Sequence, residues 1–145
     1  MKTFKDTEDR EWTVEINVTA VKRVKSLTGI NIAAVSEGLF TDLASDPAML
    51  CDVIFALIKP QADMAGVTDE QFGTAMRGDS IHHATMAFLD ELVNFTPSPA
   101  GRKLLSRALD QSKELYETAM TKLTEHLDKD TTKQELKEKL DNLLP

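Results

Sequence analysis

Asp46-Pro47-Ala48-Met49-Leu50-Cys51-Asp52-Val53-Ile54-Phe55-Ala56-Leu57-Ile58-Lys59-Pro60 is the most apolar run of the 145-residue chain, and proline bounds it at both ends. It reads as a central buried helix. Asp46 offers an acceptor to the first free N–H groups, Pro47 suits the first helical position, and Pro60 is expected to stop the helix. Asp52 is the one charge within the apolar stretch, so the helix has hardly a polar face and must be covered by other elements. At about 11 to 12 residues, roughly 17 Å, it is too short to span a bilayer, which needs about 20.

Upstream, Thr3-Phe4-Lys5, the polar Asp6 to Arg10 and Glu11 to Asn17 read as strand, turn and strand. Trp12, Val14 and Ile16 alternate with Glu11, Thr13 and Glu15, which puts one face on a core. An isolated hairpin is marginal in water, so this face is expected to rest on helices. Val21, Val24 and Leu27 then recur every three residues, with Lys22, Arg23 and Lys25 forming a basic outer face and Gly29 a stop. Ile30-Asn31-Ile32 alternates and predicts a third strand. Ser36-Glu37-Gly38 is a loop signal, and Leu39 to Ala44 suggests a helical turn.

Downstream, Gln61 to Gly66 reads as a connector. Thr68-Asp69-Glu70-Gln71 fits a capping box that starts a helix at Asp69, with Gly78 as its breaker. Asp79 or Ser80 is expected to cap the next helix. Its face is Ile81, Ala84, Thr85, Phe88, Leu89, Leu92 and Phe95, with Asp90 and Glu91 off that stripe. Thr96-Pro97-Ser98-Pro99 is the firmest boundary, dividing one overall domain into a hairpin and helical core, 1–96, and a helical extension, 97–145. Beyond it Leu105, Leu109, Ser112, Tyr116, Ala119, Leu123 and His126 alternate in steps of four and three. This predicts a helix from Pro99 to about Leu127, roughly 40 Å long. Asp128 to Thr131 marks a break before a last amphipathic helix carrying Leu136, Leu140, Leu143 and Leu144. The fold class is therefore α+β, mostly α, with a small N-terminal β-hairpin packed on a helical bundle and a long C-terminal helix.

Apolar residues make up 41% and charged residues 28%, an ordinary globular composition that needs no metal or disulfide support. The net charge of -7 disfavours a nucleic-acid partner. The acidic excess lies mainly in residues 61–96, where Asp63, Asp69, Glu70, Asp79, Asp90 and Glu91 face a lone Arg77. Such a face suits a basic partner, or simply a solvated surface. A start lacking a secretion signal, a single cysteine and no membrane-length run point to the cytoplasm.

Chemistry is sparse. Asp79, His82 and His83 place a carboxylate three and four residues from imidazoles, the one arrangement that suggests a metal-dependent hydrolase. Adjacent histidines point about 100° apart, however, and no second His-rich segment completes a ligand set. Cys51 lies among Leu50, Val53 and Ile54, a setting for a buried small hydrophobe and not for a nucleophile. Asp52 needs a partner such as Lys22, Arg23 or Arg77 if it is buried. No phosphate-binding loop or Ser, His, Asp arrangement is present. No catalytic residue, metal site or cofactor is therefore assigned.

The opening Thr3 to Ile16 with Val21-Lys22-Arg23-Val24, the pattern Leu50-Cys51-Asp52-Val53 through Lys59-Pro60-Gln61-Ala62-Asp63, and Gly66 to Gly73 with Gly78-Asp79 resemble small proteins of tailed phages classed as tail assembly chaperones. The resemblance covers residues 3 to 95. It implies a non-enzymatic role: binding the long, apolar, helix-rich tape measure protein and helping tail tube protein assemble around it, without remaining in the finished particle. It also implies self-association, and in many members a longer form made by frameshifting. The expected partner contacts are Phe88, Leu92, Phe95, Leu105, Leu109 and Tyr116. A structural virion component, such as a tail completion or connector protein, is the alternative.

Overall fold

A computed structural model describes residues 1–34, 42–43, 45–128 and 130–143. The chain divides into two compact units, Met1–Ser106 and Arg107–Pro145, a boundary ten residues beyond the Thr96-Pro97 junction. The first unit begins with β1 (Lys2–Lys5) and β2 (Glu11–Val14), followed by α1 (Val18–Thr28), α2 (Pro47–Ala65), α3 (Asp69–Thr74) and α4 (Asp79–Phe95). Helix α5 (Pro99–Asp128) starts in it and continues into the second unit, which also holds α6 (Asp130–Leu143). The protein is α+β and mostly α, with its small antiparallel sheet packed on helices.

The hairpin is in the register Phe4 opposite Trp12 and Thr3 opposite Thr13. Phe4, Trp12, Val14 and Ile16 are all buried, as alternation requires. Strand β1 packs on α4, and β2 on α2 and α4. Phe72, from α3, closes the aromatic centre with its ring centroid 6.4 Å from Phe4, 6.0 Å from Trp12 and 5.5 Å from Phe55. The polar turn holds a charge that the residue pattern does not announce: the side chain of Asp6 is fully buried. Its Oδ1 accepts from the amides of Glu8 and Arg10 at 2.9 and 3.0 Å, and its Oδ2 from Arg10 Nε and Trp12 Nε1 at 2.8 and 3.0 Å.

Helix α2 departs from its expected end. It runs 19 residues, through Pro60, to a left-handed cap at Gly66. A mid-helix proline leaves the carbonyl four residues earlier without its N–H donor. Here that carbonyl is Ala56, and Arg23 of α1 supplies the donor: its Nη1 lies 3.1 Å from Ala56 O and 2.8 Å from Leu57 O. Arg23 is thus turned toward α2 and is not part of a basic outer face. The stretch after Pro60, read as a connector, is helical. It delivers Gln61 to the free edge of β2, where the side-chain amide accepts from Thr13 N at 2.9 Å and donates to Thr13 O at 2.7 Å.

Other expectations divide. Gly29 ends α1 in the left-handed region, and both halves of the Thr68 and Gln71 capping box are formed. Helix α3 ends at Thr74, before Gly78, and Gly78 itself precedes α4 with no side-chain cap. Ile30 to Ile32 forms no strand: the Asn31 side chain accepts from Ala33 N and folds the segment into a turn, while Ile32 is fully buried. Glu91 is buried rather than on an outer face, with the Met1 amino nitrogen 2.8 Å from its Oε1, within ion-pair reach but off hydrogen-bond geometry. The loop expected at Ser36 to Gly38 lies outside the described residues. Of the turn expected over Leu39 to Ala44, only Asp42 and Leu43 are described, and both are helical.

Two measurements test these anchors. Arg23→Ala should destabilise the protein by about 2–3 kcal/mol in urea unfolding, and by clearly less in a Pro60→Ala background, where the peptide N–H at position 60 serves Ala56 again. Strictly additive losses would contradict the pairing. For Asp6, burial pushes the carboxyl up, but the hydrogen bonds from Trp12 and Arg10 outweigh it and hold the group below its ordinary value. A depressed folded value means that its stabilisation is present above the unfolded value and is lost as pH falls through the folded one. Asp6→Asn should therefore cost about 2–3 kcal/mol near neutral pH. The gap from the unsubstituted protein should close in acid.

Candidate partner-binding face

The Thr96 to Pro99 boundary is built as its residues suggest. Ser98 Oγ accepts from Gly101 N, and Arg102 reaches back to the carbonyls of Thr96 and Pro97 at 2.9 and 3.2 Å. Arg102 thus supplies donors to the carbonyls of the cap and the proline just beyond the end of α4. Helix α5 then runs 30 residues without interruption, about 45 Å. The break expected over Asp128 to Thr131 turns on position 129, which lies outside the described residues.

The six expected contact residues fall into different environments. Phe88 and Leu92 point into the core of the first unit, and Leu109 is buried as well. Phe95 and Leu105 are half-buried. Tyr116 alone is exposed, at 41%. The outward apolar surface of α5 lies further along: Leu115 is 70% exposed, Leu123 53%, Leu127 50% and Met120 45%. Tyr116, Met120, Leu123 and Leu127 recur at steps of four, three and four, so they share one helical face. Leu140 and Leu143 of α6 are also exposed. Large side chains this exposed at regular spacing form a patch rather than scattered single residues. The signal for them was present in the four-three spacing; the register of burial along it was not.

The groups that suggested chemistry are dispersed or engaged. His82 and His83 have ring centroids 5.9 Å apart, with His82 half-buried and His83 exposed. Among the described residues no three His, Cys, Asp or Glu side chains gather as a metal site would require. Cys51 is half-buried; burial pushes its thiol up and the Asp52 charge adds to the rise, which disfavours the thiolate. Asp52 is exposed and needs no buried counter-charge. No helix among the described residues is long and apolar enough to cross a membrane.

The environments make opposite predictions for mutations. Leu115→Ser with Leu123→Ser should change unfolding free energy by less than about 0.5 kcal/mol each, while lowering binding of a hydrophobic dye. Phe88→Ala should cost about 3–5 kcal/mol. Comparable losses at both sites would show that the α5 face is packed in the free protein. Comparison with known protein families, curated proteins and solved structures gives no match for this chain.

Proposed function

We propose that this chain is a non-enzymatic tail assembly chaperone of a tailed phage, acting in the cytoplasm of the infected host. On this reading it holds the tape measure protein while tail tube protein assembles around it. The observation that carries the reading is the apolar face of α5, where Tyr116, Met120, Leu123 and Leu127 are exposed at helical spacing. A helix that leaves leucine, methionine and tyrosine in water at helical spacing suits a groove or helix of an apolar partner. The resemblance of residues 3 to 95 to tail assembly chaperones supplies the identity of that partner. Phe88 and Leu92 are core residues, and on this reading the contact residues are Tyr116, Met120, Leu123 and Leu127.

Co-expression with the tape measure protein of the same tail module tests this directly. The tape measure protein should move into the soluble fraction with the unsubstituted chain and return to the pellet with Leu123→Lys and Leu127→Lys combined. Equal insolubility in the presence and absence of the chain would end the proposal. Recovery of the chain from purified mature particles would favour a structural virion component instead.

A further inference from the structure

Among the described residues, helix α2 keeps one side open. Ala48, Asp52, Phe55 and Lys59 follow one another at helical spacing along it, and they line a concavity of about 660 Å³ beside the end of α1. Its floor is apolar, from Leu27, Met49 and Phe55, and its rim is acidic, from Asp46, Asp52 and Asp69. A second hollow of about 310 Å³ on the other flank of the helix shares Asp52 and Asp69 and continues the apolar surface to Met76 and Ile81.

The charges on this surface are unequal in their duties. Asp46 caps α2 through Met49 N, and Asp69 lies in the first turn of α3. Lys59, the one cation among the lining residues, is paired with Asp63 and has its ammonium 5.9 Å from the Phe55 ring centroid. Asp52 makes no hydrogen bond or ion pair with any described residue. Three carboxylates therefore surround an apolar floor whose single lysine is already engaged. The electrostatic field of such a groove attracts cations, and its floor takes an alkyl or aromatic side chain.

We propose that this groove docks a basic amphipathic segment of a partner protein, with an apolar side chain on the floor and lysine or arginine against Asp52 and Asp69. The surface shares no residue with the apolar face of α5 and does not depend on the role proposed for that face. It also gives Asp52 a purpose that folding does not require.

A short fluorescein-labelled helical peptide of leucine and lysine, titrated with the full-length protein, reads the interaction by anisotropy. Binding should weaken as salt rises, and a matched leucine and glutamate peptide should not bind. Asp52→Asn should reduce affinity about fivefold and Asp52→Lys should reduce it further, with thermal unfolding unchanged because the side chain is exposed. Asp110→Asn with Glu117→Gln on α5 controls for overall charge, and Leu123→Ser with Leu127→Ser controls for capture by the apolar face. Both controls should bind as the unsubstituted protein does. The proposal is overturned if no peptide binds, if the charge control weakens binding as much as Asp52→Asn, or if the leucine control abolishes binding while Asp52→Lys does not.

Discussion

A proline in the middle of a helix removes one backbone donor and crowds the preceding turn, a defect of about 3 kcal/mol that ends most helices. In this protein the guanidinium of Arg23 bonds the Ala56 and Leu57 carbonyls beside the defect, and α2 continues for more than a turn beyond Pro60. The arrangement of the first unit follows from that continuation. It carries Gln61 to the backbone of Thr13, sets Gly66 where a left-handed cap is needed, and starts α3 so that Phe72 meets the rings of Phe4 and Trp12. One charged side chain, contributed by a neighbouring helix, thereby fixes where hairpin and helices meet.

The parts of the fold legible from sequence are those governed by local rules. Alternation from Trp12 to Ile16, the Thr68 and Gln71 box, the Gly29 stop and the Ser98-Pro99 start each depend on neighbours within a few residues, and each is found. What was not legible depends on a partner far along the chain. No local pattern announces that Arg23 will compensate Pro60, or that Gln61 will bond Thr13 across 48 positions. Asp6 looked like one more polar turn residue, yet it is the acceptor around which the turn and Trp12 are organised. The third strand failed because a period of two over Ile30, Asn31 and Ile32 is also what a turn gives when one apolar side chain plunges inward. For the candidate site, the four-three spacing located the helix face, but burial separated Phe88, Leu92 and Leu109 from Tyr116.

Charge divides along the chain at the Thr96-Pro97 junction, ten residues before the boundary between the two units. From residue 97 onward the numbers of acidic and basic residues are equal, so the net charge of -7 belongs to the preceding part. The exposed face of α5 is thus an apolar surface on a neutral segment, whose contacts are governed by burial of area and are insensitive to salt. The groove along α2 sits in the acidic part, where attraction at a distance matters. The two surfaces suit different kinds of encounter, one short-ranged and one steered.

The packing of β1 on α4 joins residues near the beginning of the chain to a helix that begins at Asp79. Bringing them together closes a long loop, and that entropy is lost before the contact returns any stability. Helix α5, by contrast, is held by bonds between near neighbours and forms on a much faster timescale. On a ribosome β1 therefore cannot complete its packing until α4 has emerged, although Phe72 of α3, which emerges earlier, can already meet the Phe4 and Trp12 rings. The Asp6 bonds need only the residues from Asp6 to Trp12, so the contacts that organise the turn are complete within the hairpin itself.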